Sequence, residues 1–330
     1  MDDLYINSQY LEQLVVKMIK LKEILFLKNL KGVGKSAINS KYMSILKESD
    51  DFYDLVSEVE LTSKFDTSEI KIAMDKAENA YDELFNSDIN VITAFDEKYP
   101  EKLKIMGNKK PPLLYIKGNI DALDKPNISI IGTRKPLAQS QEFERELVKN
   151  ILNSTDKVII SGLALGCDKI AHQTTVDENK YTIAVLPSGV NVIKPAKHKK
   201  LAQDIIDTGG CLVSEYDPNA TVYKSTYVER DRIVAAFSDA TFVVECGIKS
   251  GTMHTVNFAK EYNRQLFCYL PQDRPNESYD GNRFILKNNN DAIKVENIEK
   301  FLNDLKNASI DNKEKSEDTT QSIQPTLDSF

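Results

Sequence analysis

The sequence predicts an α/β chain: a doubly wound, mostly parallel sheet preceded by a small all-helical domain. Three observations lead there. Short apolar runs recur at Ile128–Ile131, Val158–Ile160, Thr182–Leu186, Cys211–Ser214, Thr241–Val244 and Leu266–Leu270. None alternates with polar residues, which suits strands buried on both faces. Each run is followed by a small-residue turn and then by helical spacing, the grammar of strand–helix–strand crossovers. Upstream of these runs the spacing is helical and no alternating pattern competes with it.

Residues 1–90 form the helical domain, with amphipathic spacing at Leu14, Val15, Met18, Ile19 and Leu21, and again from Ile70 through Ala77 to Leu84. Residues 91–126 read as a connector packing on the sheet domain. It contains Val91–Phe95, Tyr99-Pro100, Pro111-Pro112 and a strand-like Leu113–Lys117 that ends at Gly118. The sheet domain covers 127–306. Residues 307–330 are mostly polar and charged, with Ile310 and Ile323 the only large apolar residues before the last seven, the composition of a disordered tail.

The 330 residues carry 43 basic and 50 acidic side chains, a net charge of −7. A broad attraction to nucleic acid is excluded, so any such binding must use a local patch. No apolar run approaches the ~18 residues of a membrane span. Four cysteines stand singly, at 167, 211, 246 and 268, without the paired spacing of a zinc site or a disulfide framework. A reducing cytoplasm, with no metal and no cofactor, is the expectation.

Ligands of open α/β sheets bind beyond the carboxyl ends of the strands. Gly132, Thr133 and Arg134 follow the first run. Ser161, Gly162, Leu163, Ala164, Leu165, Gly166, Cys167 and Asp168 follow the second, with His172 one turn further on. Ser188 and Gly189 follow the third, and Ser214 and Glu215 the fourth. Glu245 ends the fifth, and Ser250, Gly251 and Thr252 open the next helix. Between the fourth and fifth runs lie Arg230, Asp231 and Arg232. Small residues admit a ligand to the backbone, helix starts offer free N–H groups, and arginines offer forked donors. Their recurrence points to an anionic, phosphate-bearing ligand.

In that order these motifs resemble the DprA/Smf family of DNA-processing proteins, over roughly residues 90–305. The connector's Tyr99-Pro100, Pro111-Pro112, Leu114-Tyr115 and Gly118, and later Leu270-Pro271 with Gly281-Asn282, resemble it too. The resemblance implies an extended Rossmann-like domain that binds single-stranded DNA, forms homodimers and loads a RecA-type recombinase. It also implies that Arg134, Arg230 and Arg232 contact phosphates. The basic run Lys194, Lys197, Lys199 and Lys200 stands where the family is also basic, and reads either as part of that edge or as a solvated helix face. Tyr223 and Tyr227 are candidates for stacking on bases, although burial is the ordinary fate of a tyrosine. Two positions depart from the family pattern. Leu165 replaces an arginine and removes a donor, and Asp231 replaces an asparagine and adds repulsion. Each would weaken phosphate binding by about 1–3 kcal/mol.

Near the start, Gly32, Val33, Gly34, Lys35 and Ser36 look like the end of a phosphate-binding Walker loop, but Asn29 stands where its first glycine belongs and the preceding stretch is helical. Two readings stay open: a helix-hairpin-helix whose Gly32, Gly34 and Lys35 grip a DNA phosphate, or a purely structural turn. Catalysis is not expected. The stretch from Glu245 to Thr252 lacks the double glycine and downstream glutamate of the phosphoribohydrolases that share this fold. Asp168 with His172 is better read as a helix cap beside a packed histidine. The alternative function is a nucleotide-binding sensor or nucleotide-processing enzyme using the same strand-end pocket. In the tail, Gln324, Leu327 and Phe330 have the spacing of peptides that bind a sliding clamp.

Overall fold

The computed structural model describes residues 8–271 and 277–305, so the tail with Gln324, Leu327 and Phe330 lies outside the described residues. The first part is helical: α1 (Ser8–Asn29), α2 (Lys35–Asn39), α3 (Met43–Glu48), α4 (Phe52–Thr62) and α5 (Thr67–Phe85). Asp51 and Asp66 start α4 and α5, each carboxylate accepting two backbone N–H groups of the first turn, a cap worth about 1 kcal/mol. Then come β1 (Ile89–Thr93) and β2 (Leu113–Gly118), followed by β3 (Asn127–Ile131), α6 (Ala138–Ser154), β4 (Val158–Ser161), α7 (Cys167–Asp177), β5 (Thr182–Val185), α8 (Lys199–Asp207), β6 (Cys211–Ser214), α9 (Lys224–Phe237), β7 (Ala240–Val243), α10 (Thr252–Glu261), β8 (Gln265–Tyr269), α11 (Asp280–Asn288) and β9 (Ile293–Val295).

All six expected strands are present, and they lie in one sheet ordered β1-β2-β6-β5-β4-β3-β7-β8-β9. Seven neighbouring strands, β6 through β9 in that order, run parallel. The residues of β3 to β7 are buried throughout, which is why the sequence shows no polar alternation there. Side chains divide by period two: Ile128, Ile130 and Ile159 pack with α6 and α7, whereas Val158 and Ile160 pack with α9 and α10.

The connector does more than pack on the sheet. β1 pairs antiparallel with β2, and β2 antiparallel with β6, so both extend the sheet itself. The helices of the first part likewise do not close a core of their own. Phe26, Leu55 and Ala77 belong to one apolar cluster with Tyr115, Leu186 and Leu212 of the sheet side. A polar clasp fixes the join: Lys28 Nζ and the Tyr115 hydroxyl each donate to Asp217 Oδ1, both at 2.6 Å. Among the described residues, no helix is long and apolar enough to cross a membrane.

β3 and β7 are neighbours whose crossovers leave in opposite directions, α6 towards β4 and α10 towards β8. Their carboxyl ends therefore flank the switch point, where such sheets open a crevice.

Candidate functional site

That crevice holds about 690 Å³. Its floor is made of two glycine turns. After β3, Gly132 packs so closely that a Cβ there would stand 2.4 Å from Cys167 Sγ. The Thr133 N–H donates to the Glu245 carbonyl at 2.7 Å, and the Thr133 carbonyl accepts from the Cys167 N–H at 3.1 Å. With its own backbone stitched between β7 and α7, this turn delivers Arg134 outward. Arg134 is exposed and its guanidinium lies 5.6 Å from the centroid of the Tyr227 ring, a cation–π arrangement.

After β4, the Ser161 hydroxyl donates to the Ile130 carbonyl at 2.7 Å, and Asp168 Oδ2 accepts the N–H groups of Gly162 and Ala164 at 3.1 and 3.2 Å. Between them Leu163 is fully buried at a φ of 55°, in the left-handed region that costs a side-chain-bearing residue about 1 kcal/mol or more. Its carbonyl accepts from His198 Nδ1 at 2.9 Å, so that ring nitrogen carries the proton; burial pulls the His198 pKa down. Arg230 lies flat on this loop. A Cβ on Gly162 would fall 1.4 Å from its Nη1, which donates to the Val185 carbonyl at 3.0 Å. Its Nε stands 3.0 Å from Asp231 Oδ1. Arg230 is thus a floor beam of the crevice, 5% exposed.

The far wall is the start of α10, with Ser250, Gly251, Thr252 and His254 lining it. The near wall is α9, with Lys224, Tyr227 and Asp231. Tyr223 beside them is 68% exposed. Neither tyrosine met its ordinary fate of burial, because both stand on the solvent side of the first turns of α9.

Arg232 departs from expectation. It sits on the same helix as Arg230, and residues two apart on a helix point about 200° from each other. Arg232 therefore faces away from the crevice, 3% exposed. Its Nη2 pairs with Glu215, its Nε donates to Glu229 at 3.0 Å and its Nη1 to the Lys109 carbonyl at 2.8 Å. The same network takes Lys35, whose Nζ lies 2.5 Å from Glu229 and 3.3 Å from Glu215. The hairpin itself is present: α1 and α2 flank Gly32, at a φ of 82°, and Gly34, the N-cap of α2. A helix precedes it, so the Walker reading fails for want of a strand. Gly32 and Gly34 are exposed, but Lys35 is spent on docking the turn to α9.

Lys197 and Lys200 are exposed at the same end of the sheet, outside the crevice lining. Lys197 flanks the His198 that braces the β4–α7 loop, and Lys200 pairs with Asp204 at 2.8 Å. His172 is fully buried. Its Nδ1 stands 2.9 Å from the Thr182 hydroxyl, which itself donates to the Ile159 carbonyl, and burial lowers its pKa to about 3. Asp168 and His172 therefore make no acid/base pair in the crevice. Among the described residues, no three His, Cys, Asp or Glu side chains are grouped to hold a metal ion. Sequence reasoning missed Lys224 and His254, although each lies within a few residues of a motif it selected.

Fold and crevice together define a Rossmann-like protein with an open crevice at the switch point of its sheet. The chain belongs to the DNA recombination-mediator protein A family, whose model matches residues 90–306. It is similar to Protein Smf of Escherichia coli, at 32% identity over 66% of this chain and 56% of that one. It is also similar to the DNA processing protein DprA of Streptococcus pneumoniae, at 33% identity over 52% of this chain and 60% of that one. The chain thus spans little more than half the length of these relatives. Among solved structures, DNA processing protein A from Helicobacter pylori, described for its single-stranded DNA binding mode, matches with a TM-score of 0.59 and 30% identity. That match covers 67% of this chain and 96% of that one. The X-ray structure of the Streptococcus pneumoniae protein matches with a TM-score of 0.65 over 90% of this chain and 97% of that one; at 23% identity it supports the fold.

Proposed function

We propose that the crevice binds the backbone of single-stranded DNA and that the chain acts as a recombination mediator, protecting the strand and loading a RecA-type recombinase onto it. The observation that carries this reading is Arg134 over Tyr227: an exposed cation and a stackable ring at one lip of a crevice whose opposite wall is a helix start. Single strands are held without sequence preference by such pairing of charge and aromatic faces. Gly132, Thr133, Ser161, Gly162 and Arg230 build the floor, and Ser250, Gly251 and Thr252 offer the helix N-terminus to a phosphate.

Arg134→Ala should weaken binding to oligo-dT roughly tenfold and lower the salt slope by about 0.7, one phosphate contact's worth. A parallel titration with mononucleotides tests the alternative, a nucleotide-binding sensor or nucleotide-processing enzyme. Mononucleotide binding without oligomer binding, or an Arg134→Ala protein that matches its parent at every salt concentration, overturns the DNA reading.

The proposed partners are a second copy of this chain, the recombinase and, through Gln324, Leu327 and Phe330, a sliding clamp; the proposed work is cytoplasmic. Light scattering should give twice the chain mass of 37.3 kDa for the protein alone, and a larger particle with recombinase or with clamp. A partner that leaves the mass unchanged is retired.

A further inference from the structure

Arg134 lines a second depression as well. This groove, about 540 Å³, runs between α6 and α7 and carries Lys135, Arg145, Lys149 and Lys169 along its sides. Arg145 and Lys149 lie one turn apart on α6, and Lys169 in the first turn of α7 faces them across the groove. Five cations converge there in a chain whose net charge is −7. The carboxylates in the lining, Asp177 and Glu178, stand together at the far end of α7, where Lys149 reaches Glu178 at 3.5 Å. Arg145 bonds a neutral partner, Gln141. Arg134, Lys135, Arg145 and Lys169 are all exposed. Among the described residues, no aromatic side chain lines the groove.

We propose that this groove is a second phosphate track, and that a single strand leaving the switch-point crevice passes over Arg134 and continues along the α6–α7 face. The inference rests on the crevice holding DNA. Arg134 belongs to both depressions, so the two meet at its side chain. With cations and no ring, the groove meets only the backbone. Its contribution is blind to base identity and falls with salt. A strand must first fill the crevice before it reaches the groove, so the groove strengthens binding of long strands alone.

The test compares the parent with an Arg145→Gln, Lys149→Gln, Lys169→Gln protein. The sites are exposed or half-buried, and the one ion pair lost is a surface pair worth under about 1 kcal/mol, so thermal unfolding should match the parent's. A second protein, with Lys47 and Lys71 on the N-terminal helices and Lys64 between α4 and α5 changed to glutamine, controls for net charge. Anisotropy titrations use oligo-dT of about 6 and about 20 nucleotides, lengths that bracket a single crevice. The groove variant should bind the long strand at least about tenfold more weakly, with a salt slope lowered by about 2, and the short strand as the parent does. Equal losses at both lengths, no loss at either, or an equal loss in the control protein overturns the second track. Failure of the parent to bind any strand overturns instead the reading of the crevice on which the track depends.

Discussion

Arg232→Ala should cost about 3–5 kcal/mol of folding stability while leaving the folded protein's DNA affinity close to the parent's. Arg232 is 3% exposed and its side chain sits between Glu215, whose side chain is 7% exposed, and Glu229. Burial by itself would lower its pKa, and the two carboxylates more than reverse that, so the net shift is upward. Removing one member of a buried pair strands the other as an uncompensated charge, and this penalty exceeds the worth of the pair itself. It would remove a large part of the 5–15 kcal/mol that domains have in all. The Lys109 carbonyl would lose its donor at the same stroke, which loosens the connector from α9, and Lys35 alone would be left facing both carboxylates. Urea unfolding reads the loss as a lowered midpoint. A doubly substituted Arg232→Met, Glu215→Gln protein should recover much of it, because no buried charge is then left alone. An Arg232→Ala protein with an unchanged midpoint and weakened DNA binding would return Arg232 to the phosphate track and refute the assignment.

The contrast between Arg230 and Arg232 shows what the sequence could reveal. The strands were legible because burial on both faces keeps charged residues out of β3 to β8 and leaves short apolar runs broken only by small polar residues such as Ser129 and Thr241. The strand ends were legible because Gly132 and Gly162 are demanded by close contacts with Cys167 and Arg230. The destinations of long charged side chains were not. Arg230, Arg232 and Lys35 all looked like phosphate ligands, yet each is held by a partner from another part of the chain: Val185 for Arg230, Glu215 for Arg232, and Glu215 with Glu229 for Lys35. Only the helical phase of α9 separates floor from back wall. β1 and β2 passed for a connector because they join the sheet from its antiparallel edge, outside the repeating strand–helix pattern. The α6–α7 groove was invisible for a related reason: its cations come from separate segments around residues 134, 145 and 169, and no one of them forms a run.

Asp231→Asn should raise stability by about 3 kcal/mol above pH 6 and strengthen DNA binding there, with both gains fading in acid. Asp231 lines the crevice, and burial pushes its pKa up to about 6, with Arg230 opposing, Asp168 adding to the rise and His254 opposing. In the unfolded chain an aspartate titrates near ~3.9. Between about pH 4 and 6 the native state therefore holds a proton that the unfolded state has released, so stability falls as pH rises. Its contribution is whole below about pH 4 and lost above about 6. Two units at 1.36 kcal/mol each give the expected size, about 3 kcal/mol. Asparagine copies the protonated carboxyl and should keep the stability across the range. The same carboxylate repels an entering phosphate, so the parent's affinity for oligo-dT should rise on acidification from pH 7.5 to about 5.5, and the variant's should rise less. His254 lines the same crevice, so the comparison is repeated with His254→Gln in both proteins; the part that survives belongs to Asp231. Midpoints and affinities that follow one pH dependence in parent and variant would mean that Arg230 fully compensates the carboxylate. The departure at position 231 would then carry no charge penalty into the crevice.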